Sequence, residues 1–471
     1  MRTILILTGM LSALVLHAQN WAQAGIVNEG INYLYSDSIN GNLYLGGPFR
    51  YVNGTSVNGI CLLDSLGALH TLGSGQDNCG PFNCDPIKII TRYKDEHYVS
   101  WTNKTIGGGI EVNGIARWDG NAWKSLNNGF NFPSAANGFM EHEGDLYVAG
   151  AYTIDIDSVT HYGIAKWNGT AWTGFGFPNY PNDAPLSQAA AWYKGKLYLA
   201  GGFLFPLGDN GDYILDIASF DGQQWSPVAD GIKGGLWHGI NDMVVYKDEL
   251  YVCGLFRQID GNAGNKIMRW NGTQWKDVGG GICDPDATLH HMLIHDDKLY
   301  VTGIFTCVGD GIPASCIASW DGERWCSYGN SVFNNRVLSI AFWHDTMYIG
   351  GGFTEIDGQP VNYFAKWIGD HSTDTCSAPV SVQKEPSTAS TLQISPNPAG
   401  DQLRIQWPGG EMLPNNLRVF DASGKDLSSL TDVVINAQTA TLRTGRLAPG
   451  LYFLQVGMGD GRVWSGRFVK R

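Results

Sequence analysis

Leu146-Tyr147-Val148-Ala149-Gly150 is one of seven related segments that together decide the fold of this chain. Each copy has a tyrosine followed by an apolar residue, and six of the seven reach a glycine within three residues. The tyrosines lie 48 to 54 residues apart, at Tyr44, Tyr98, Tyr147, Tyr198, Tyr251, Tyr300 and Tyr348. A repeat of this length predicts a protein built from one small supersecondary unit used many times.

A second motif follows the tyrosine segment in most repeats. In Trp118-Asp119-Gly120-Asn121-Ala122-Trp123 an Asp-Gly pair separates two short strands, and segments 167–172, 220–225, 270–275 and 320–325 have the same form. Such a pair is a strong hairpin signal, because Gly and Asn accept the positive φ of the tight turn. Each repeat is therefore predicted to contain four antiparallel strands: an apolar strand, the tyrosine strand and an aromatic-bearing hairpin.

The seventh repeat stops at Gly369 and lacks its last strand. Trp21-Ala22-Gln23-Ala24-Gly25 has the Trp-to-Gly spacing of that missing strand, as in segments 172–176 and 275–279. We expect the N-terminal strand to complete the seventh repeat and close a ring, which leaves no sheet edge unpaired. The predicted fold is all-β: a seven-bladed β-propeller over residues 19–370, followed by a small Ig-like β-sandwich.

Residues 20–370 resemble the kelch-type propellers, whose relatives include the central domain of galactose oxidase. The order of strand, Gly-Gly, aromatic residue and tryptophan carries this resemblance, most closely to a bacterial variant with repeated LYVGGxF and IAxWDGxxW units. The resemblance implies a propeller fold. It implies little about activity, because such rings carry many unrelated functions.

Composition agrees with a turn-rich β protein that is exported. The 471 residues include 62 glycines, are 43% hydrophobic and only 16% charged, and have a formal net charge of −13, which disfavours a nucleic-acid partner. Arg2, the apolar stretch 4–16 and a small-residue site before Gln19 predict a signal peptide over residues 1–18. No other apolar run is long enough to cross a bilayer, so we expect no transmembrane anchor.

The C-terminal part differs from the repeats in composition. Residues 371–391 are rich in Ser, Thr and Pro and are predicted to be a linker, whereas residues 392–471 carry nine Lys/Arg against six Asp/Glu. Four short motifs occur there, at 395–398, 420–425, 447–452 and 468–471. Together they resemble the type A C-terminal sorting domain of the type IX secretion system of Bacteroidetes.

That resemblance implies a partner and a destination. The partner is the secretion machinery at the outer membrane, and the protein passes through the periplasm to become secreted or attached to the outer cell surface. The residues that match the sorting motif are Pro396, Asn397, Pro398, Gly424, Lys425, Pro449, Gly450, Tyr452 and Lys470.

An exported protein with nine cysteines is permitted disulfides. Cys79 with Cys84, and Cys307 with Cys316, flank short turns and are expected to close local loops. Cys61 and Cys253 occupy positions where other repeats have alanine, so we expect them to be small core residues.

The candidate ligand-binding residues lie on the predicted innermost strand of each repeat. Alternation places His291 and His295 on one face of such a strand and His290 on the other. The residues that match His290 in other repeats are polar, and this position is predicted to line the central channel. The residues that match His295 are mostly aromatic, which suits packing between repeats. The candidates are Asn137, Gln188, Asn241, His290 and His291.

No catalytic residue, metal site or cofactor is assigned from the sequence. Acidic loops suit calcium, although none has EF-hand spacing: Asp155, Asp157, Asp209, Asp212 and Asp216. The favoured function is non-enzymatic recognition of an extracellular ligand, such as a glycan, at one end of the ring. Two alternatives stay open: a secreted enzyme acting on glycans or another extracellular polymer, and a structural or adhesion protein of the cell surface.

Overall fold

The structure is a computed structural model. It describes residues 20–77, 79–80, 83–127, 129–175, 177, 186–207, 212–233, 239–328, 331–369, 374–376, 392–407, 414–421, 425–436, 439–458 and 463–471. The chain divides into two compact units, residues 1–380 and 381–471. The predicted signal peptide and most of the predicted linker lie outside the described residues.

The predicted all-β architecture is confirmed. Within the described ranges there is no α-helix, and two short 3-10 helices occur at Gln258–Asp260 and Ser428–Leu430. The described part of the first unit contains seven antiparallel sheets of four or five strands.

The N-terminal strand is β1 (Trp21–Gln23). Within each of the first four sheets the strands follow one another in chain order. The first sheet has β2 (Tyr33–Asp37), β3 (Asn42–Gly46), β6 (Ile60–Leu63) and β7 (Leu69–Thr71). The second has β8 (Ile89–Tyr93), β9 (Glu96–Ser100), β12 (Ile115–Trp118) and β13 (Trp123–Ser125). The third has β14 (Asn131–His142), β15 (Asp145–Ile156), β16 (Val159–Trp167) and β17 (Trp172–Gly174). The fourth has β18 (Leu186–Tyr193), β19 (Lys196–Leu207), β20 (Asp212–Phe220) and β21 (Trp225–Pro227).

The last three sheets use the same arrangement, and the sixth and seventh each include one strand from elsewhere in the chain. The fifth has β22 (Ile240–Tyr246), β23 (Glu249–Gly254), β24 (Ile267–Trp270) and β25 (Trp275–Lys276); the sixth has β26 (Thr288–His295), β27 (Lys298–Ile304), β30 (Ile317–Trp320), β31 (Trp325–Tyr328) and β37 (Asp374–Cys376); the seventh has β32 (Val337–Trp343), β33 (Thr346–Gly351), β36 (Phe364–Trp367) and β1. Four small hairpins join second to third strands: β4 (Tyr51–Val52) with β5 (Thr55–Ser56), β10 (Thr105–Ile106) with β11 (Ile110–Glu111), β28 (Cys307–Val308) with β29 (Ile312–Pro313), and β34 (Glu355–Ile356) with β35 (Gln359–Pro360).

The sequence motifs occupy the places predicted for them. The tyrosine segments form the second strand of each sheet, and the Asp-Gly and Asn-Gly pairs form the turn between the third and fourth strands. In the second sheet Gly120 has a φ of 95°, and the Asp119 carboxylate accepts the backbone N–H of Asn121 and Ala122 at 2.9 and 2.7 Å. The turn chemistry thus accounts for the repeated Asp-Gly pair.

The first strands of neighbouring sheets lie beside one another. These strands are β2, β8, β14, β18, β22, β26 and β32, and β32 contacts both β26 and β2. At the other end of the chain, β1 pairs antiparallel with β36, with Trp21 opposite Trp367. Trp21 is fully buried, with its ring 5.0 Å from that of Trp367 and 5.7 Å from that of Phe333.

Two hydrogen bonds recur between neighbouring sheets. An aromatic residue at the end of the first strand donates to a backbone oxygen in a turn of the next sheet: Tyr93 to Gly144 (2.7 Å), Tyr193 to Asp248 (3.0 Å), Tyr246 to Asp297 (2.7 Å) and Trp343 to Gly41 (2.7 Å). A tryptophan of the fourth strand donates its indole N–H to the sheet before it: Trp123 to Leu72, Trp172 to Leu126, Trp225 to Phe175 and Trp325 to Val278. These bonds explain the fixed positions of many of the aromatic residues.

One of the two expected disulfides is confirmed and the other is wrong. Cys79 is bonded to Cys84, but Cys307 is bonded to Cys283, and Cys316 is a buried free thiol. The loop that carries Cys307 packs against the connection that enters the sixth sheet, where the Cys283 N–H donates to the Cys307 oxygen. Cys61 and Cys253 are buried free thiols, as predicted.

The second unit contains two sheets that share one apolar core. One has β38 (Gln393–Ser395), β39 (Gln402–Gln406), β41 (Asp432–Asn436) and β42 (Thr439–Arg443); the other has β40 (Pro414–Asp421), β43 (Gly450–Met458) and β44 (Val463–Lys470). Leu403 and Leu442 from the first sheet pack with Leu454 and Phe468 from the second. Burial between these sheets holds the unit together.

Candidate functional site

In five of the seven sheets a β-bulge near the start of the first strand places one side chain at the same point. In β14, β18, β22, β26 and β32 the pairing with the second strand skips one residue. The skipped residues are Asn137, Gln188, Asn241, His290 and Leu338. A bulge inserts an unpaired residue and redirects its side chain, so the same irregularity recurs where the strands converge.

These bulges surround a cavity of about 430 Å³. Every sheet contributes lining residues, from its first strand or from the residue just before it. The structure brings all five predicted candidates to this lining: Asn137, Gln188, Asn241, His290 and His291. Four further polar residues of the lining were missed by the sequence analysis: Asn32, Tyr33, Lys88 and Asp242.

A spacing rule would have found part of the missing set. Asn137, Gln188, Asn241 and His290 all precede their anchor tyrosine by ten residues, and so does Lys88. Asn32 precedes Tyr44 by twelve, because the turn between β2 and β3 is longer.

Two of the amide side chains fix neighbouring sheets to each other. The Asn137 amide nitrogen donates to the Ser187 oxygen at 2.9 Å, and the Asn241 amide nitrogen donates to the Leu289 oxygen at 2.7 Å. Both bonds use the nitrogen and leave the amide oxygen as an acceptor on the cavity wall. The wall is therefore held in place before any ligand arrives.

Asp242 is the carboxylate of this cavity. One of its oxygens accepts the Met243 N–H and the other accepts the Met292 N–H of the sixth sheet, each at 2.7 Å. Burial raises the pKa of Asp242, and nearby His291 opposes that shift. Among the described residues, no arginine or lysine contributes to stabilising the ionised form of this carboxylate.

The two histidines of the lining are held in their neutral form. Burial, together with the positive charge of Arg336, lowers the pKa of His290 to about 4. Burial also lowers the pKa of His291, against the attraction of Asp242. The Nδ1 atom of His291 is buried and has no hydrogen-bond partner among the described residues.

Tyr33 and His291 also line a second cavity of about 610 Å³, with their ring centres 5.5 Å apart. Burial raises the pKa of Tyr33 far above its ordinary value. The second cavity is aromatic, and in it His295 stacks on Phe342 with ring centres 3.7 Å apart. The stacked pair joins the sixth and seventh sheets. This is the packing between repeats that was expected at the position of His295.

The acidic loops considered for calcium contain local hydrogen bonds. Asp155 accepts the Thr160 hydroxyl at 2.6 Å, and Asp216 accepts the Phe203 N–H at 2.9 Å. Asp209 lies outside the described residues. Among the residues with described positions, no group of three or more His, Cys, Asp or Glu is arranged to hold a metal ion.

In the second unit three of the four motif segments lie on the sheet formed by β40, β43 and β44. Gly450 pairs with Lys470 and Tyr452 with Phe468 across β43 and β44, and Asp421 of β40 pairs with Tyr452 on the other side. The Tyr452 hydroxyl donates to the Ala448 oxygen at 2.7 Å. Pro449 is in the turn that leads into β43, and Lys425 donates its N–H to the Asp421 carboxylate at 3.1 Å.

The Pro396-Asn397-Pro398 segment is attached to the C-terminal strand. The Asn397 side chain accepts the Val469 N–H at 2.9 Å and donates to the Arg467 oxygen at 3.3 Å. Lys470 is largely buried, and its ammonium donates to the Arg471 oxygen at 3.0 Å. Gly424, the remaining residue of the predicted motif, lies outside the described residues.

Comparison with known proteins identifies the second unit. Residues 393–471 match the family model of the secretion system C-terminal sorting domain, the type IX sorting domain. The chain is therefore exported and is secreted or displayed at the cell surface, and the secretion machinery is its implied partner. None of the helices in the described part of the chain is long and apolar enough to cross a membrane.

The remaining comparisons are too distant to carry an argument. The chain is similar to the extracellular domain of the putative hybrid two-component system BT4673 from B. thetaiotaomicron, at 13% identity and a TM-score of 0.44, covering 94% of this chain and 56% of that one. It is also similar to YjhT, at 14% identity and a TM-score of 0.35, over 65% of this chain and 100% of that one. No curated protein matches the chain.

Proposed function

We propose that the first unit is a seven-bladed β-propeller closed by its N-terminal strand, and that the second unit is an Ig-like β-sandwich. The pairing of β1 with β36 and the contact of β32 with β2 support closure. The Trp343 bond to Gly41 supports it independently, because it repeats between the last and first sheets the bond that tyrosines make elsewhere.

We infer that the unit recognises an extracellular ligand in the cavity at the bulges. The observation that carries this proposal is that all seven sheets contribute to one polar cavity, whose walls are held by bonds between sheets. A preformed concave site with a few convergent polar groups is the usual form of a small-molecule site. Its volume suits a small ligand or the terminal residue of a polymer such as a glycan.

The surroundings of the cavity support the same assignment. In an antiparallel sheet, the connection between the second and third strands lies at the end where the first strand begins. The four small hairpins and the Cys283–Cys307 disulfide belong to that end, whereas the opposite end has tight turns such as Lys94-Asp95. Loops that vary around a regular scaffold are the usual place for binding.

An enzymatic role is the second candidate. Asp242, His291 and Tyr33 meet at the cavity. A half-buried carboxylate with a raised pKa beside a neutral imidazole is a combination suited to proton transfer. A structural or adhesive role on the cell surface is the third, and it needs no cavity ligand.

The test is a binding and turnover screen on the purified chain with glycans and small metabolites. We expect saturable binding without product, and weaker binding by Gln188→Ala and His290→Ala. Leu66→Ala is the control, because Leu66 is 92% exposed on a turn in the first sheet, away from the cavity. Product formation would favour the enzyme, and ligands whose affinity neither cavity variant changes would contradict this site.

A further inference from the structure

The charge of Asp242 is not needed for its contact with the neighbouring sheet. Its carboxylate accepts the Met292 N–H of the next sheet at 2.7 Å. In the seventh sheet Ser339 holds the corresponding position after the bulge, and its hydroxyl accepts the Leu34 N–H of the first sheet at 3.0 Å. An uncharged serine therefore makes the same bond between sheets. The bond explains why a hydrogen-bond acceptor is present at position 242, but it does not explain why that acceptor is a carboxylate.

The carboxylate also has unused capacity to accept hydrogen bonds. Its two oxygens offer about four lone-pair sites, and the N–H groups of Met243 and Met292 occupy two of them. Within the described part of the chain no lysine or arginine forms an ion pair with Asp242. Asp242 is half-buried on the cavity wall. A carboxylate that is largely removed from water and has no cationic partner is costly, so the cavity is complementary to a group that brings a positive charge.

The other lining groups favour the same kind of ligand. The amide oxygens of Asn137 and Asn241 remain as acceptors, because the nitrogens are bonded to neighbouring sheets. His291 lines the same cavity as Asp242 and interacts with its charge, and no described residue hydrogen-bonds its buried Nδ1 atom. Among the described lining residues Lys88 is the one lysine or arginine; it is exposed, and no ion pair is described between it and Asp242.

We propose that the cavity binds a ligand through a protonated amine, with Asp242 as the counter-charge and the Asn137 and Asn241 amide oxygens as additional acceptors. This inference rests on the proposed ligand recognition and specifies its chemistry. The amine belongs either to an amino sugar or to the N-terminus of a short peptide. Both present an ammonium group beside further polar atoms, and the experiment separates them.

The experiment uses pairs of probes that differ only in the charge of the amine. Isothermal titration of the purified chain compares D-glucosamine with N-acetyl-D-glucosamine, and Ala-Ala with N-acetyl-Ala-Ala. We expect the free amine of one pair to bind at least tenfold more tightly than its acetylated partner, and the pair that responds identifies the source. Equal affinity within both pairs, or no binding by either amine, would overturn the proposal.

Variants at Asp242 link the preference to this carboxylate. Asp242→Ser copies the arrangement at Ser339 and is expected to weaken amine binding roughly 10- to 100-fold, the range for a lost charged hydrogen bond. Asp296→Ser is the matched control, because it removes the same charge from an exposed turn between β26 and β27, at the end of the sheets opposite the cavity. Asp242→Asn is a second variant, to be used if the serine variant melts early.

The outcomes distinguish this inference from the proposed function. If the screen finds an uncharged ligand that depends on Gln188 and His290 but not on Asp242, the cavity is a binding site and the amine proposal is wrong. If Asp242→Ser binds the amine as tightly as the parent chain and the Asp296→Ser control do, the proposal is also wrong.

Discussion

At the scale of single residues, the glycine that ends the anchor segment is required by close approach of the backbone. A Cβ added at Gly254, Gly303 or Gly351 would overlap the carbonyl oxygen of a residue at or just before the start of the adjacent first strand. The first and second strands therefore approach most closely where the bulge begins, and the repeated glycine follows from the same geometry that forms the cavity.

Gly351→Ala tests this explanation. Its Cβ would meet the Arg336 oxygen, so we expect a loss of about 2 kcal/mol or more in the free energy of unfolding, within the range for overpacking. Gly352→Ala is the control, because its Cβ would make only ordinary contacts with Asn335, at 3.6 Å or more. Urea titration of both variants measures the difference, and similar losses would contradict the close-approach argument.

Asp242 gives a prediction about pH. Its raised pKa means that the folded chain holds the proton more tightly than the unfolded chain. Protonated Asp242 therefore adds to the free energy of unfolding at low pH, and this addition is lost as the pH rises from about 3.8 through the raised pKa. Asp242→Ser lacks this ionisation. We therefore expect the melting temperature of the parent to fall relative to that of the variant between pH 4 and pH 8. If the difference between the two stayed constant or changed in the other direction, Asp242 would not be a carboxylate that lacks a cationic partner.

Four of the five predicted lining residues keep one distance from the anchor tyrosine, and the fifth, His291, is the neighbour of one of them in sequence. Asn137, Gln188, Asn241 and His290 share that distance and meet at one cavity. Asp242 follows a bulge, and the bulge shifts by one residue the alternation of side chains between the two faces of the strand. Simple alternation from Asn241 therefore places Asp242 on the opposite face, away from the cavity. The pairing of Cys307 was wrong for a related reason, since nearness in sequence did not show which loops pack together.

At the scale of elements, the N-terminal strand is the most consequential piece of the first unit. It supplies an outer strand to a sheet whose other strands lie more than 300 residues away, with Trp21 opposite Trp367. Its presence was readable from the Trp-to-Gly spacing because the same spacing occurs in other fourth strands. Strands without such a motif were missed: β41 lies within a stretch that has few buried side chains, and β37 lies in the predicted linker.

Trp21→Ala is expected to destabilise the first unit by about 3–5 kcal/mol, the range for removing a buried large aromatic side chain. Deletion of residues 20–25 should lower the melting temperature further, because it also exposes the edge of β36. Leu66→Ala, on an exposed turn, should leave the melting curve unchanged. If the deletion also left it unchanged, the N-terminal strand would not be closing the ring.

At the scale of the whole molecule, the chain joins two units, and the second has the export role. The apolar core of the second unit draws its residues from 392–468, and the sorting-domain match covers 393–471. Because that core is self-contained, the signal for export can be separated from the unit that it delivers.

Removal of residues 392–471 should therefore leave the first unit folded and retained in the periplasm. Each part has its own core, so the melting temperature of the first unit should change little, while cell fractionation should show loss from the surface and the medium. Val434→Ala is the control in the second unit, because Val434 is 56% exposed and lies away from the motif sheet. The complementary experiment fuses residues 393–471 to an unrelated periplasmic protein, which should then reach the surface. Normal delivery of the truncated chain, or retention of the fusion when its second unit is folded, would contradict the assignment of export to this unit, since each result would place the signal elsewhere in the chain.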